Sequence, residues 1–109
     1  MAEVYKVLGQ LDPSANTLTK LYTVPAATST INSSIFISNR NATATAFSMQ
    51  VRVAGAAADN KQYIYTLISI PGNETFVVTA GVTLAATDEV WVLGVLATCS
   101  FNMFGTEIS

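Results

Sequence analysis

No histidine occurs in this chain of 109 residues. That removes the side chain that most often serves as general base, activates a nucleophile or binds a transition metal. Ser/His/Asp and Cys/His catalytic arrangements are impossible by composition. Cys99 is the single cysteine, so no intrachain disulfide can form, and without histidine the common structural zinc sites are excluded too. Charge is equally scarce: charged side chains make up 11% of the residues, against a usual quarter. Lys6, Lys20, Arg40, Arg52 and Lys61 are scattered, and with a formal net charge of −2 they form no basic patch for gathering phosphates, so nucleic acid is not an expected ligand. The longest apolar run, 90–97, is far short of the roughly 20 residues a membrane-spanning helix needs. The opening Met1-Ala2-Glu3-Val4-Tyr5-Lys6 has no basic stretch followed by an apolar one, so no secretory signal peptide is expected, and synthesis in a reducing cytoplasm is.

What the chain does have is strand signal from end to end. Its length suits one domain covering 1–109, half of its residues are apolar, and turn residues recur about every ten positions. A short strand over 4–8 stops at Gly9 and the Asp12-Pro13-Ser14 turn. Leu18, Lys20, Tyr22 and Val24 then alternate with Thr17, Thr19, Leu21 and Thr23 up to Pro25. Residues 31–38 place Ile35 and Ile37 on one face and Phe36 on the other. Phe47, Met49, Val51 and Val53 alternate with Ser48, Gln50 and Arg52, which reads as a half-exposed strand with its polar side to solvent. Residues 54–60 read as a loop, and 63–70 as a strand closed by Pro71-Gly72-Asn73. A short strand over 75–79, the strand carrying Trp91 and a last one over 100–108 complete the reading. About eight short strands with no convincing helix predict an all-β, single-domain antiparallel β-sandwich, jelly-roll-like.

The residue types that chemistry would draw on have simpler structural explanations. Asp88 and Glu89 are adjacent carboxylates, but neighbouring strand residues point to opposite faces, and Asp88 after Thr87 suits a side chain that bonds the local backbone at a strand entrance. Cys99 lies in an apolar alternating segment, where a small buried hydrophobe fits. Gly94 and Gly105 fall inside strands, where close backbone approach or a bulge is expected, and no glycine forms a phosphate-cradling loop before a helix. Asn32-Ser33-Ser34, Asn41-Ala42-Thr43 and Asn73-Glu74-Thr75 match the glycosylation acceptor pattern, which a chain rich in Asn, Ser and Thr produces by chance. Tyr5, Tyr22, Tyr63, Tyr65 and Trp91 could line a sugar platform, but aromatics at these spacings more often belong to a core or a subunit interface. No enzymatic activity, metal or cofactor is expected.

The unusual feature is apolar residues on both faces of the same strands. If Val90, Val92 and Leu96 face a core, then Trp91, Leu93 and Val95 face away from it, as Phe36 does in its strand. Residues 21–39 and 90–106 carry no charged side chain at all. Such faces call for cover by copies of the chain or by a partner, which makes Phe36, Trp91, Leu93 and Val95 the candidate interface of a homo-oligomer.

Several segments carry a resemblance: Tyr5-Lys6-Val7-Leu8-Gly9-Gln10, Leu21-Tyr22-Thr23-Val24-Pro25-Ala26, Ser38-Asn39-Arg40-Asn41-Ala42-Thr43-Ala44-Thr45, Thr83-Leu84-Ala85-Ala86-Thr87-Asp88 and Phe101-Asn102-Met103-Phe104-Gly105-Thr106-Glu107-Ile108. Their arrangement resembles small virion proteins of tailed bacteriophages, especially capsid decoration or cement proteins and related tail-associated modules. The resemblance implies a non-enzymatic β-sandwich on the capsid surface, a homotrimer that clamps the major capsid protein and stabilises the shell. The alternative is a tail or fibre module that binds a host glycan or another virion protein.

Overall fold

Burial recurs at every second residue in the long strands, and that period creates the two layers of the molecule. Ile35, Ile37 and Asn39 are buried in one strand, and Cys99, Phe101, Met103 and Gly105 in another. The computed structural model describes residues 2–109. Among them are nine strands: β1 (Glu3–Leu11), β2 (Thr19–Thr23), β3 (Ser29–Asn39), β4 (Thr45–Arg52), β5 (Tyr63–Ile70), β6 (Thr75–Val78), β7 (Val82–Leu84), β8 (Glu89–Gly94) and β9 (Cys99–Ile108). A five-stranded sheet has the order β1-β9-β3-β6, with β7 also paired to β3, and a four-stranded sheet has the order β2-β8-β4-β5.

The pairing runs from the outside of the chain inward: β1 with β9, β2 with β8, β3 with β6 and β7, and β4 with β5, all antiparallel. A long hairpin rolled over on itself gives this order, which is that of a jelly roll, so the β-sandwich expected from the sequence is the fold observed. Ile35, Ile37, Phe101 and Met103 from one sheet meet Phe47, Met49, Val90 and Val92 from the other, all essentially inaccessible to solvent. Phe47 lies at the centre, with ring centroids of Phe76, Tyr65 and Phe101 at 5.2, 5.7 and 6.5 Å. Cys99 is fully buried in the same cluster, as its apolar context predicts.

Several expectations change in detail. The first strand extends to Leu11, and its register shifts between Val7 and Gly9, leaving Leu8 as an extra residue. In β2 a shift between Lys20 and Tyr22 buries Leu21 and Tyr22 together, which simple alternation cannot do. The expected strand over 75–79 stops at Val78, and β7 is a further strand absent from the reading of the sequence. The Trp91 strand ends at Gly94, so Leu96, expected in the core, lies in the following turn and is half-buried. Val53, expected on the inner face, leaves its strand in a single 3₁₀ turn and is exposed.

The largest correction concerns β4. Ser48, Gln50 and Arg52 were expected in solvent, yet all three are buried. β4 is central in its sheet, and its polar side chains are shorter than their neighbours or bound to them. Ser48 Oγ accepts from the Leu67 amide at 2.9 Å, and Gln50 Oε1 accepts from Arg52 Nε at 3.0 Å.

The turns are held by buried polar side chains. Asp88 accepts from the amides of Ala54 and Ala85, both at 2.9 Å, so it does bond the local backbone and also fastens the turn after β4. Asn39 Nδ2 donates to the carbonyls of Thr43, Ile70 and Pro71, while its Oδ1 accepts from the Asn41 amide and the Thr98 hydroxyl. Gly94 and Gly105 mark close approaches: an added Cβ would lie 2.8 Å from Cys99 Cβ in the first case and 2.3 Å from the Ile31 carbonyl oxygen in the second.

Candidate functional site

The sandwich leaves two outer faces, and the candidate interface residues divide between them. On the four-stranded sheet, cross-strand pairing sets Lys20, Trp91, Gln50 and Tyr63 in one row, with Leu93 beside Ser48 in the next. Beyond the end of β8, the Val95 amide still donates to the Ala46 carbonyl at 2.9 Å. Trp91, Leu93 and Val95 therefore lie along one line, and each is half-buried within the protomer. Trp91 is fixed from two sides. The Arg52 guanidinium lies 3.9 Å from the ring centroid, and the indole N–H donates to Glu89 Oε1 at 2.8 Å. Glu89 in turn faces Lys20 at 3.7 Å. Cation–π contact and hydrogen bonding together hold the ring in one orientation.

Phe36 lies on the opposite side of the molecule, on the outer face of the five-stranded sheet, so it cannot share one flat contact with Trp91. It is 38% exposed and meets Phe104 edge to face at 5.7 Å. Register places Phe36 beside Val77, Phe104 beside Val7, and Tyr5 and Ile31 on either side of Thr106. Tyr5, Val7, Ile31, Phe36 and Val77 are all exposed, so this face is largely apolar, with Thr106 between Tyr5 and Ile31 and Glu3 at its border accepting from the Tyr5 hydroxyl. Sequence reasoning found only Phe36 here. Phe104 was detectable, because Phe101, Met103 and Gly105 fix the opposite parity in β9, but the join with Tyr5, Val7 and Val77 depends on strand order.

At one end of the same face, Gln10, Asp12, Arg40, Ser100 and Asn102 line a shallow depression of about 430 Å³. Gln10 and Asn102 are direct cross-strand partners, and Asn102 pairs on its other side with Phe36. Arg40 Nη2 lies 3.9 Å from Asp12 and donates to the Ala97 carbonyl at 3.2 Å.

A separate polar cluster closes the seam between the sheets. The Tyr22 hydroxyl bonds Glu107 and Thr30, and Lys6 Nζ reaches Glu107 at 3.1 Å. Burial, followed by the bond to Glu107, pushes the Tyr22 phenol up to about 12, while the Tyr22 hydrogen bond holds the Glu107 carboxyl below its ordinary value. Burial likewise raises the Cys99 thiol, which leaves it a poor nucleophile. Among the described residues no group of three or more Cys, Asp or Glu side chains is arranged to hold a metal ion, and no helix is long and apolar enough to cross a membrane.

Comparison with models of protein families, with curated proteins and with solved structures finds no significant match to this chain. The geometry therefore has to carry the functional argument by itself.

Proposed function

We propose that this protein is a non-enzymatic structural component of a tailed-bacteriophage virion, a decoration protein that assembles as a homotrimer on the capsid surface and stabilises the shell. The observation that supports it most directly is the presence of apolar side chains on both outer faces of one small jelly roll. A cementing protein needs two contacts, one to its own copies and one to the shell. The Trp91, Leu93 and Val95 face suits the first: it is pinned, aromatic and bordered by Arg52 and Tyr63, the residue types that dominate stable contacts. The broad, shallow face around Phe36 suits the second, the major capsid protein being the partner. Binding that favours the closed shell stabilises it by mass action at every occupied site.

The test is a comparison of virions with and without the protein. Those lacking it release their genome at lower temperature or under milder osmotic shock, and still adsorb to host cells. The reverse outcome, normal capsid stability with adsorption lost, overturns the reading in favour of a tail or fibre module that binds a host glycan. That second reading draws support from the polar depression lined by Gln10, Asp12 and Asn102, of which Asn102 is the cross-strand neighbour of the exposed Phe36, a combination suited to sugar hydroxyls and a sugar face.

A further inference from the structure

Each sheet ends in two edge strands, and every one of the four edges is interrupted somewhere along its length. β2 carries a register shift between Lys20 and Tyr22. β5 has two shifts against β4, and Leu67 within it stands at φ 49°. The fourth edge of the pair of sheets is divided between the short strands β6 and β7, separated by residues 79–81. Bulges, kinks and very short strands are the devices by which proteins keep edges from pairing with other chains. β1 is different. From Glu3 to Val7 it runs in unbroken register along β9 before the extra residue Leu8.

The direction of its free hydrogen-bonding groups follows from the chain ends. Ala2 and Ser109 exchange both main-chain hydrogen bonds, at 2.8 and 2.9 Å. In an antiparallel ladder such pairs alternate, so Val4 and Lys6 turn their amides and carbonyls toward β9. Those of Glu3, Tyr5 and Val7 point away from the sheet, where nothing among the described residues pairs with them. Tyr5 is 78% exposed, and Val4 and Val7 are exposed as well. The one cation on the strand does not guard it, since Lys6 is folded onto Glu107.

We propose that this edge pairs with the same edge of a second copy, antiparallel, about a twofold axis through Tyr5. The register is determined by the parity of the free groups. Placing Tyr5 opposite Tyr5 sets Glu3 opposite Val7 on both sides of the axis, so every residue with outward groups meets another, forming about six main-chain hydrogen bonds. Shifting by two residues loses one hydrogen-bonded pair, and shifting by one sets outward groups against inward ones. No like charges face each other in the favoured register, and the five-stranded sheets of the two copies become one continuous sheet whose Phe36 faces lie on the same side. The pairing goes beyond the trimer of the proposed function: trimers joined across twofold axes would form a net over a shell.

Single cysteines test the register, because Cys99 is fully buried and does not compete. Directly opposed hydrogen-bonded residues have Cα atoms about 5.5 Å apart, inside the disulfide range. Under mild oxidation Tyr5→Cys gives a covalent dimer on a non-reducing denaturing gel. Val7→Cys, whose counterpart lies roughly 13 Å away along the strand, does not. Tyr5→Pro removes an edge-facing amide that the fold does not use, so it keeps the circular dichroism spectrum of the parent and loses the edge contact. Sedimentation of Tyr5→Pro protein then separates the two ideas: trimers remain if the proposed function holds, and monomers remain if only the edge pairing is real. Equal cross-linking of Tyr5→Cys and Val7→Cys, or an oligomeric mass that Tyr5→Pro leaves unchanged, overturns the inference.

Discussion

The guanidinium of Arg52 lies over Trp91, 3.9 Å from the ring centroid, while its Nε donates to the Gln50 amide oxygen at 3.0 Å. One cation thus serves as the lid partner of an aromatic ring and as the donor to a buried carboxamide. Arg52→Ala removes both functions, and the loss of stability is about 1–3 kcal/mol, combining the contact with the ring and the carboxamide left without its donor. Urea unfolding measures the loss, and the emission of Trp91, the single tryptophan, moves to the red as the ring becomes wetter. Arg52→Lys restores little, since an ammonium lacks the planar fork that stacks and donates together.

Stability against pH follows from Tyr22 and Glu107. The Glu107 carboxyl is lowered in the folded protein, so its contribution is fully present above the unfolded carboxyl value and is lost as the pH falls through the folded one. The Tyr22 phenol is raised from 10.0 to about 12, so its contribution is present below pH 10 and declines as the pH rises towards 12. Melting temperature plotted against pH therefore falls at both ends. Glu107→Gln flattens the acid limb. Tyr22→Phe flattens the alkaline limb and, by removing the main cause of the Glu107 shift, part of the acid one.

Two glycines separate packing from chain flexibility. A Cβ on Gly105 would stand 2.3 Å from the Ile31 carbonyl oxygen, whereas one on Gly81 would meet nothing within 4 Å. Gly105→Ala must push β3 and β9 apart and costs about 1–3 kcal/mol or more. Gly81→Ala only reduces the freedom of the unfolded chain and is neutral or stabilising by about 0.4–1 kcal/mol. Thermal unfolding of the two variants side by side reads the difference.

The layers of this fold were legible because burial alternates from Cys99 to Gly105 in β9 and from Ile35 to Asn39 in β3, past the register shift between Asn32 and Ser34, and because Pro71-Gly72-Asn73 closes β5 where the pattern ends. Strand order was not legible, since periodicity reports which face a residue occupies and not which strand lies beside it. For the same reason the apolar area around Phe36 could be read one residue at a time but not as a surface. Ser48, Gln50 and Arg52 misled because polar residues at alternate positions imply solvent only when neighbouring strands leave that side open. Here Arg52 lies over the Trp91 ring and bonds Gln50, and Ser48 takes the Leu67 amide, so that side is closed by its own neighbours. The register shift that buries Leu21 beside Tyr22 left no composition signal either.

The proposed division of labour between the two outer faces is open to a direct test. Phe36 and Leu93 sit on opposite sheets and neither is in the central core, so a charge at either position disturbs a contact more than the protomer. A buried unpaired carboxylate in an assembled interface costs several kcal/mol unless it stays protonated. On the proposed roles, Leu93→Asp breaks the oligomer into smaller species at micromolar concentration, while Phe36→Asp retains the oligomer but loses occupancy on purified capsids, read as copies bound per shell. Val92→Ala is the control, because Val92 is fully buried: it lowers protomer stability by roughly 2 kcal/mol and leaves assembly of the folded fraction intact. If Phe36→Asp dissociates the oligomer and Leu93→Asp leaves it whole, the two faces exchange roles, and the Phe36 sheet becomes the one that copies of this chain use to hold each other.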